Sequence, residues 1–559
     1  MPDGDESNPY HWGAIRDKEQ MDGDGDSDSD SDGETEDVSF SSSEPALTPR
    51  HKHAQHEAWL PFARFLRRLT GLKDFVYSCA QHLPACVLAA LHRHHRRSRL
   101  HVRAFSLRSL YHERNQLPDI DPDELALATS PCLYSIHATC GAGSFNLEAL
   151  DHMIMGSAPG LRRVRIGVYT RGGCLALLES IHAPQKPWQG FYAGPGTADS
   201  ARQPPTQPAK GRLESLVLSD PFASPGVNAW NNRTDLTLLR RLDLRINSVA
   251  TINALTALAA DNRLRSLQAL ALSISFPYNP QRNAVVLGHQ ASDHPTSLLL
   301  QALPPLRSLR LTGYFGAATV DAILHRHGPA LRKLFLLPNQ TDNTSDALLT
   351  PRFFRNDNND NPAPDDPNVP AAVSRPHPEH TPLIHALAAH CPHLTTLTLR
   401  IHRHHGRRPE VAAYRALRQL RNLRRATLHL DCRLPASMSP DVDGNEAETV
   451  RQVWMNCAVD RALARTIFEV VNGGDKRLER LRLRPEVPSG MLDRLRRAYH
   501  NVADWVGESW VCEEVEGSEE GGVKVRGVAT MDVLSMLDSQ AGMEELDEEL
   551  FRSRMIDDT

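Results

Sequence analysis

Leucine recurs along this chain in one spacing, Leu-x-x-Leu-x-Leu. The clearest copies lie in the runs LRRLDLRIN (239–247) and LRKLFLLPN (331–339), and each run ends in an asparagine. Side chains alternate between the two faces of a β-strand, so the last two leucines of each copy share one face. The spacing therefore predicts a series of short strands, which bury their leucines only when the copies stack side by side.

The copies share a common period, although the gaps 161→213, 331→394 and 423→478 are about twice as long and each contains a degenerate repeat or an insertion. Five intervals between successive copies measure 25 to 29 residues, which is the period of leucine-rich repeats. Ala/Leu-rich segments at 251–260 and 382–390 predict helices between the strands. We therefore expect an α/β fold, a leucine-rich-repeat solenoid in the form of an irregular horseshoe with parallel inner strands and outer helices. A weaker copy begins at Leu133, and nine strong copies begin at Leu161, Leu213, Leu239, Leu267, Leu306, Leu331, Leu394, Leu423 and Leu478.

Composition divides the chain into a repeat region and two acidic ends. Residues 1–57 contain the run DGDGDSDSDSDGETED and are expected to be a disordered acidic tail. The solenoid is expected over 58–503, with Asn-, Asp- and Pro-rich insertions at about 184–210 and 339–380. A C-terminal cap is expected at 504–530. An acidic tail at 531–559 follows, with a short amphipathic helix indicated by Met543, Leu546 and Leu550.

Charge follows the same division. Residues 1–50 contain 15 acidic and 3 basic residues, and residues 504–559 contain 16 and 4, so each end carries a net charge of −12. Because the whole chain carries −5, the residues between them carry +19. A basic centre between acidic ends indicates an acidic partner, or tails that mask the centre.

The basic residues concentrate on one predicted surface. The three x positions in x-Leu-x-Leu-x face the concave side of the array, and the nine strong copies give 27 of them. Eleven are basic and only Asp243 is acidic, whereas the chain average predicts about three basic residues. One interpretation is that arginine is simply the solubilising residue of this chain; the other is a concave face that binds an acidic or phosphorylated segment. The eleven candidate residues are Arg163, Arg165, Arg241, Arg245, Arg310, Lys333, Arg400, Arg425, Arg480, Arg482 and Arg484.

The sequence contains no catalytic constellation. P-loop, G-x-S-x-G and H-E-x-x-H motifs are absent, so we expect a non-enzymatic protein without a cofactor. The histidine clusters at 51–56, 92–97 and 402–408 lie among arginines, which predicts solvated basic loops rather than metal sites. The same clusters support an alternative function, a basic nucleic-acid-associated protein whose acidic tails mask its own basic surface. Aromatic residues for base stacking are sparse, however.

The expected compartment follows from the cysteines and the hydropathy. The nine cysteines include no C-x-x-C pair, as expected for free thiols in a reducing compartment. The acidic start lacks the apolar core of a secretory signal, and no apolar run approaches the roughly 20 residues of a membrane helix. We expect a cytoplasmic or nuclear protein that does not enter the membrane.

Several runs resemble a known family. CPHLTTLTL (391–399) resembles the C-P-x-L-x-x-L-x-L repeats of F-box/leucine-rich-repeat proteins. The runs at 66–110, 125–136, 459–472 and 478–485 are similar to a group of fungal F-box-like proteins with degenerate repeats. The resemblance implies a substrate receptor of a cullin-type ubiquitin ligase, docked to a Skp-type adaptor. An F-box is not evident: the Leu-Pro-x-x-Val-Leu run within 82–97 lacks the acidic residue and the tryptophan of the motif, and fits better as the helix of a first repeat.

Overall fold

Strands and connecting helices alternate along the described part of the chain. The computed structural model describes residues 48–79, 81–110, 120–141, 145–169, 190–191, 210–219, 227–246, 248–275, 284–338, 381–432, 446–474, 478–486, 508–514 and 522–528. Within these ranges the fold is mixed α/β, as the sequence predicts.

The strands form one open sheet. Fourteen strands in the described ranges lie side by side in the order in which they occur along the chain. The pairs from β1 to β12 are parallel, whereas β13 pairs antiparallel with β12 and β14 pairs antiparallel with β13. The strands are β1 (Asp74–Tyr77), β2 (Arg99–Phe105), β3 (Leu133–Gly141), β4 (Arg163–Tyr169), β5 (Ser215–Leu218), β6 (Arg241–Ile246), β7 (Ala269–Ile274), β8 (Ser308–Gly313), β9 (Lys333–Pro338), β10 (Thr396–His402), β11 (Arg425–Asp431), β12 (Arg480–Glu486), β13 (Ser509–Glu514) and β14 (Val523–Val528).

Helices precede or connect most of the strands. The described α-helices are α1 (Pro49–Leu66), α2 (Ala85–His94), α3 (Pro122–Ala128), α4 (Asn146–His152), α5 (Val227–Arg233), α6 (Val249–Ala260), α7 (Ala284–Ala302), α8 (Ala317–Ala322), α9 (Thr381–His390), α10 (Arg408–Ala416), α11 (Glu446–Cys457) and α12 (Arg461–Asn472). Short π-helical or 3₁₀ turns extend or precede several elements, such as Met153–Ser157 after α4 and Gly328–Ala330 before β9. None of the described helices combines the length and apolar character that a membrane crossing requires.

One continuous core joins the helices to one face of the sheet. In β7 the burial alternates, so that Leu270, Leu272 and Ile274 are buried while the residues between them are half-buried. Helix α12 buries residues at the i, i+3, i+4 and i+7 positions, Ala464, Ile467, Phe468 and Val471. Both sets belong to the same hydrophobic cluster. The helices therefore cover the leucine face of the sheet.

Local signals set the ends of α12 in the expected way. The Asp460 side chain accepts a 2.7 Å hydrogen bond from the Leu463 amide, which satisfies one of the unpaired donors of the first turn. Gly473 follows the last turn in the left-handed conformation, with φ of 65°, and its amide bonds back to Glu469.

The repeat spacing predicted most strands correctly. The nine strong copies coincide with β4 to β12, and the weaker copy at Leu133 coincides with β3. The predicted helical segments at 251–260 and 382–390 lie within α6 and α9. Strands β1 and β2 precede them without the leucine spacing, and α2 connects these two strands.

The structure differs from the prediction at the N-terminal boundary. Helix α1 begins at Pro49, inside the segment 1–57 that was expected to be disordered. Thr48 caps the helix, proline suits its first position, and partly buried Trp59 and Phe62 pack it onto the core, which explains why this basic part of the segment folds. Residues 1–47, the insertion 339–380 and nearly all of 184–210 lie outside the described residues.

At the other end of the sheet, the expected cap region contains the antiparallel strands β13 and β14. The run VKVRGV forms β14. The acidic tail at 531–559, with its predicted amphipathic helix, lies outside the described residues.

Candidate functional site

All eleven candidate basic residues lie on the same face of the sheet. They occupy β4, β6 and β8 to β12, at positions that alternate with buried core residues. We call this face, opposite the helix-covered one, the open face. Arg245 and Arg425 are exposed and the other nine are half-buried, so the structure brings the predicted set onto one surface.

The strand register aligns many of these residues in rows across the sheet. Ser215 pairs with Arg163 on one side and with Arg241 on the other, so the two arginines are two strands, or about 10 Å, apart. Arg425 pairs directly with Arg480, one strand spacing of about 4.8 Å away. Basic side chains therefore recur across the sheet at one or two strand spacings, about 5 to 10 Å.

Like charges crowd together on this face. Burial, together with the charges of Arg425 and Arg241, lowers the pKa of Lys333. Burial and the neighbouring Arg482 lower the pKa of Arg484 to about 10. Burial is the larger cause of both shifts, and the neighbouring cations add to it, as expected where several positive charges share one face.

The centre of the open face contains its own counter-charge. Asp243 of β6 lies among Arg165, Arg241, Arg245 and Arg310. Burial raises the pKa of Asp243, and the arginines around it oppose that rise. This carboxylate partly neutralises the centre of the face and would oppose the approach of an anion.

Two aromatic rings support the basic side chains. The Arg310 guanidinium lies over the ring of Phe335 at 4.3 Å from its centroid. Arg99 and Arg163 approach the ring of Tyr134 at 5.3 Å and 5.5 Å. These cation–π contacts orient the guanidinium groups and cover the rings.

Arg400 has a different role from its neighbours on the face. Its Nε donates a 2.9 Å hydrogen bond to Oε2 of Glu486, and its Nη1 donates to the carbonyl oxygen of Pro338. His429 Nδ1 donates to the other oxygen of Glu486 at 2.5 Å. Arg400 is therefore held in a contact that joins β9, β10 and β12.

The charge state of this contact follows from its geometry. Burial alone would raise the pKa of Glu486, but the hydrogen bond from His429 and the charge of Arg400 outweigh it and lower the pKa to about 2. Burial lowers the pKa of His429, so a neutral imidazole donates its single N–H to an ionised carboxylate.

The run HRHHGRR differs from the solvated loop predicted for it. His402, Arg403 and His404 are buried. The Arg403 Nη2 donates to the Ala458 carbonyl at 3.0 Å, and the His404 amide donates to Glu410 at 2.8 Å. The prediction was wrong here because the loop packs against the end of α11, which sequence spacing does not reveal; only the residues from His405 to Arg408 are partly or fully exposed.

The basic rows continue beyond the predicted residues. Lys524 and Arg526 of β14 are exposed, and through β13 they align with Arg480 and Arg482. Glu513, between Lys524 and Arg480, pairs with Arg480 at 3.3 Å. Alternation along VKVRGV would have revealed both residues, had the count of open-face positions been extended past the last leucine repeat.

One recess in the described part lies away from this face, among the first helices. A cavity of about 460 Å³ is lined by residues of α1, α2 and α3 together with the segments around His82 and Arg108. Its Lys52 is already paired with Asp121 and Asp123, and its Glu124 accepts from the backbone and hydroxyl of Ser109. The cavity is thus largely self-neutralised. No group of three or more His, Cys, Asp or Glu side chains suited to a metal occurs among the described residues.

Comparison with known proteins adds no family assignment. The chain matches no protein-family model, and no curated protein matches it significantly. The function must therefore be inferred from the open face itself.

Proposed function

We propose that the protein is a non-enzymatic binding scaffold, a leucine-rich-repeat solenoid whose open face binds an acidic or phosphorylated segment of a protein partner. The alignment of basic side chains in rows across successive strands supports this proposal most directly. The sequential strand order and the helices on a single face are the features expected of a repeat array.

The chemistry of the face favours carboxylate and phosphate. Arginine presents a planar fork of donors that can grip either group with two parallel hydrogen bonds. A phosphoserine carries a charge of about −1.5 to −2 and three acceptor oxygens, so it would interact with two neighbouring arginines at once. The direct Arg425–Arg480 pairing provides such a two-arginine position.

Nucleic acid is the competing ligand, and the covered rings argue against it. Single strands bind basic grooves chiefly where bases stack on accessible aromatic side chains. On the open face the rings of Tyr134 and Phe335 already have guanidinium groups against them. We therefore expect a phosphopeptide to bind more tightly than a single-stranded oligonucleotide of equal charge.

A binding assay with the full-length chain tests the proposal. A fluorescent, doubly phosphorylated acidic peptide is titrated at low and high ionic strength, about 0.05 M and 0.5 M, because exposed charge interactions weaken as the Debye length shortens. Replacing Arg163, Arg245 and Arg482 by glutamine together should weaken binding at least tenfold, a loss of about 1.4 kcal/mol or more.

The matched control removes the same charge from the helical side. It replaces three exposed arginines of α1, α2 and α10 by glutamine: Arg64→Gln, Arg93→Gln and Arg415→Gln. This variant should bind the phosphopeptide with unchanged affinity. Affinity that is indifferent to salt, or reduced equally by both variants, would refute an electrostatic open-face site. Tighter binding of the oligonucleotide would favour the nucleic-acid function instead.

The family resemblance adds a more specific proposal. A protein of this kind would act in the cytoplasm or nucleus as a substrate receptor of a cullin-type ubiquitin ligase, joined to the ligase through a Skp-type adaptor. The Leu-Pro-x-x-Val-Leu run overlaps α2, between β1 and β2, so its apolar residues pack within the array. Co-purification of a Skp-type adaptor with the full-length protein tests the receptor role, and its absence would leave a binding scaffold alone.

A further inference from the structure

The open face ends in a compact group of basic residues. The strands β11, β12 and β14 bring them together, and β13 contributes Glu513 as a counter-charge beside Arg480. A second carboxylate, Glu479, lies 3.7 Å from Arg425. We call the group the C-terminal basic patch; it consists of Arg425, Arg480, Arg482, Arg484, Lys524 and Arg526.

The chain leaves the described structure beside this patch. Val528, the last residue of β14, pairs with Ser509 of β13. The β12–β13 register, in which Leu483 pairs with Trp510, brings Ser509 level with Arg484. Two strand spacings, about 10 Å in total, therefore separate the exit of the chain from the Arg484 backbone.

The sequence that follows is complementary in charge. Residues 531–559, outside the described residues, contain nine acidic and two basic residues, a net charge of −7. Five of the acidic residues fall within 544–549, between the apolar positions Met543 and Leu550. Glu544 is only 16 residues beyond Val528, and 16 residues can extend over about 50 Å, several times the distance needed.

We infer that the segment 543–551 binds the C-terminal basic patch of its own chain and acts as a built-in competitor for the open face. The inference rests on the proposed function, since it concerns the regulation of that same face. A short tether gives such a segment an effective concentration in the millimolar range. An external ligand must displace it, so ligands of higher charge density, such as phosphorylated segments, are selected over plain acidic ones.

Cross-linking of the full-length chain tests the contact directly. A zero-length carbodiimide joins a carboxylate to an amine with loss of water, and Lys524 supplies an exposed amine within the patch. We expect cross-links from Lys524 to carboxylates at 544–549, abolished in about 1 M salt, where the Debye length is about 3 Å. Exposed Lys73, near β1, is the control amine and should not link to this segment.

A mixture of isotopically light and heavy chains identifies the source of the segment. Cross-links within one chain support the inference. The inference would be overturned by any of three results. These are cross-links that form only between chains, cross-links from Lys73 in equal yield, or the absence of a cross-link from Lys524 to 544–549. Because this readout needs no external ligand, it can fail while the phosphopeptide still binds, which would leave the proposed function intact.

Competition measures the functional consequence. Replacing the five acidic residues at 544–549 by their amides should tighten phosphopeptide binding by about tenfold in the full-length chain. A separate peptide of residues 540–556 should bind to this amide variant in trans. Adding Arg482→Gln, Arg484→Gln and Arg526→Gln together to the variant should weaken binding of the peptide at least tenfold. Equal phosphopeptide affinity with and without the five carboxylates would overturn the competitor role.

Discussion

Glu486 should be one of the most stabilising charged side chains in the described part of the chain. Its carboxylate accepts from His429 at 2.5 Å and from Arg400 at 2.9 Å, and its side chain is 23% exposed. Burial opposes ionisation, but these two partners lower its pKa from 4.5 to about 2. A difference of that size corresponds to about 3 kcal/mol in favour of the ionised, folded state. We expect Glu486→Gln to lower the free energy of unfolding by about 3 kcal/mol at pH 7.

The pH dependence provides a second, independent signature. Because the folded-state pKa lies below the unfolded value, the stabilisation is fully present above about pH 4.5 and is lost as the pH falls through about 2. The difference between the native sequence and Glu486→Gln should therefore shrink to about half by pH 3. Urea unfolding followed by circular dichroism at both pH values measures it.

A surface ion pair just before the first residues of β11 and β12 is the matched control. Glu479 lies 2.9 Å from Arg424 and 3.7 Å from Arg425, but its side chain is 46% exposed. Exposed pairs contribute little, so Glu479→Gln should cost less than about 1 kcal/mol. The reasoning would be refuted if Glu486→Gln cost no more than Glu479→Gln, or if its cost were the same at pH 3 as at pH 7.

Three further substitutions test separate features of the molecule. Gly313→Ala should lower the free energy of unfolding by more than about 3 kcal/mol, because φ is +97° and the new Cβ would lie 1.8 Å from a backbone oxygen of β7. Gly71→Ala is the control: φ is +81° but the space is open, so urea unfolding should show a loss of about 1 kcal/mol. Asp243→Asn should tighten phosphopeptide binding by about threefold to tenfold, since it removes the competing carboxylate from the open face, and Asp261→Asn, at the end of α6, should leave the affinity unchanged. Burial lowers the pKa of His327 from 6.5 to about 4, so the native protein should lose free energy of unfolding as the pH falls from about 6.5 towards 4. Between pH 7 and 4.5 this loss should be smaller by about 2 kcal/mol in His327→Gln, as measured by urea unfolding.

The strand positions were predictable because their signal is local. In a segment such as β7, the alternation of Leu270, Leu272 and Ile274 with small residues encodes both the strand and its buried face. The eleven basic residues followed from the same alternation, since each lies next to a buried core residue of its strand. Strands β1 and β2 lacked the leucine spacing and were recognised only in the structure.

The contacts between distant residues were not predictable from spacing. Arg400 and Glu486 are 86 residues apart and belong to strands separated by β11, so their pairing depends on side-chain reach across an intervening strand. The burial of His402 and His404 depends likewise on the neighbouring α11, whose position the sequence pattern does not specify. A one-dimensional pattern identifies the face of a residue but not which residues lie beside it.

The open, sequential sheet leaves the number of its strands unconstrained. A closed barrel fixes strand number through its tilt and stagger, whereas each strand here pairs only with its neighbours in the chain. A unit of strand and helix can therefore be gained or lost within the row without re-pairing the rest. The open face can lengthen or shorten over evolutionary time by whole units, each of which adds its own side chains to that face.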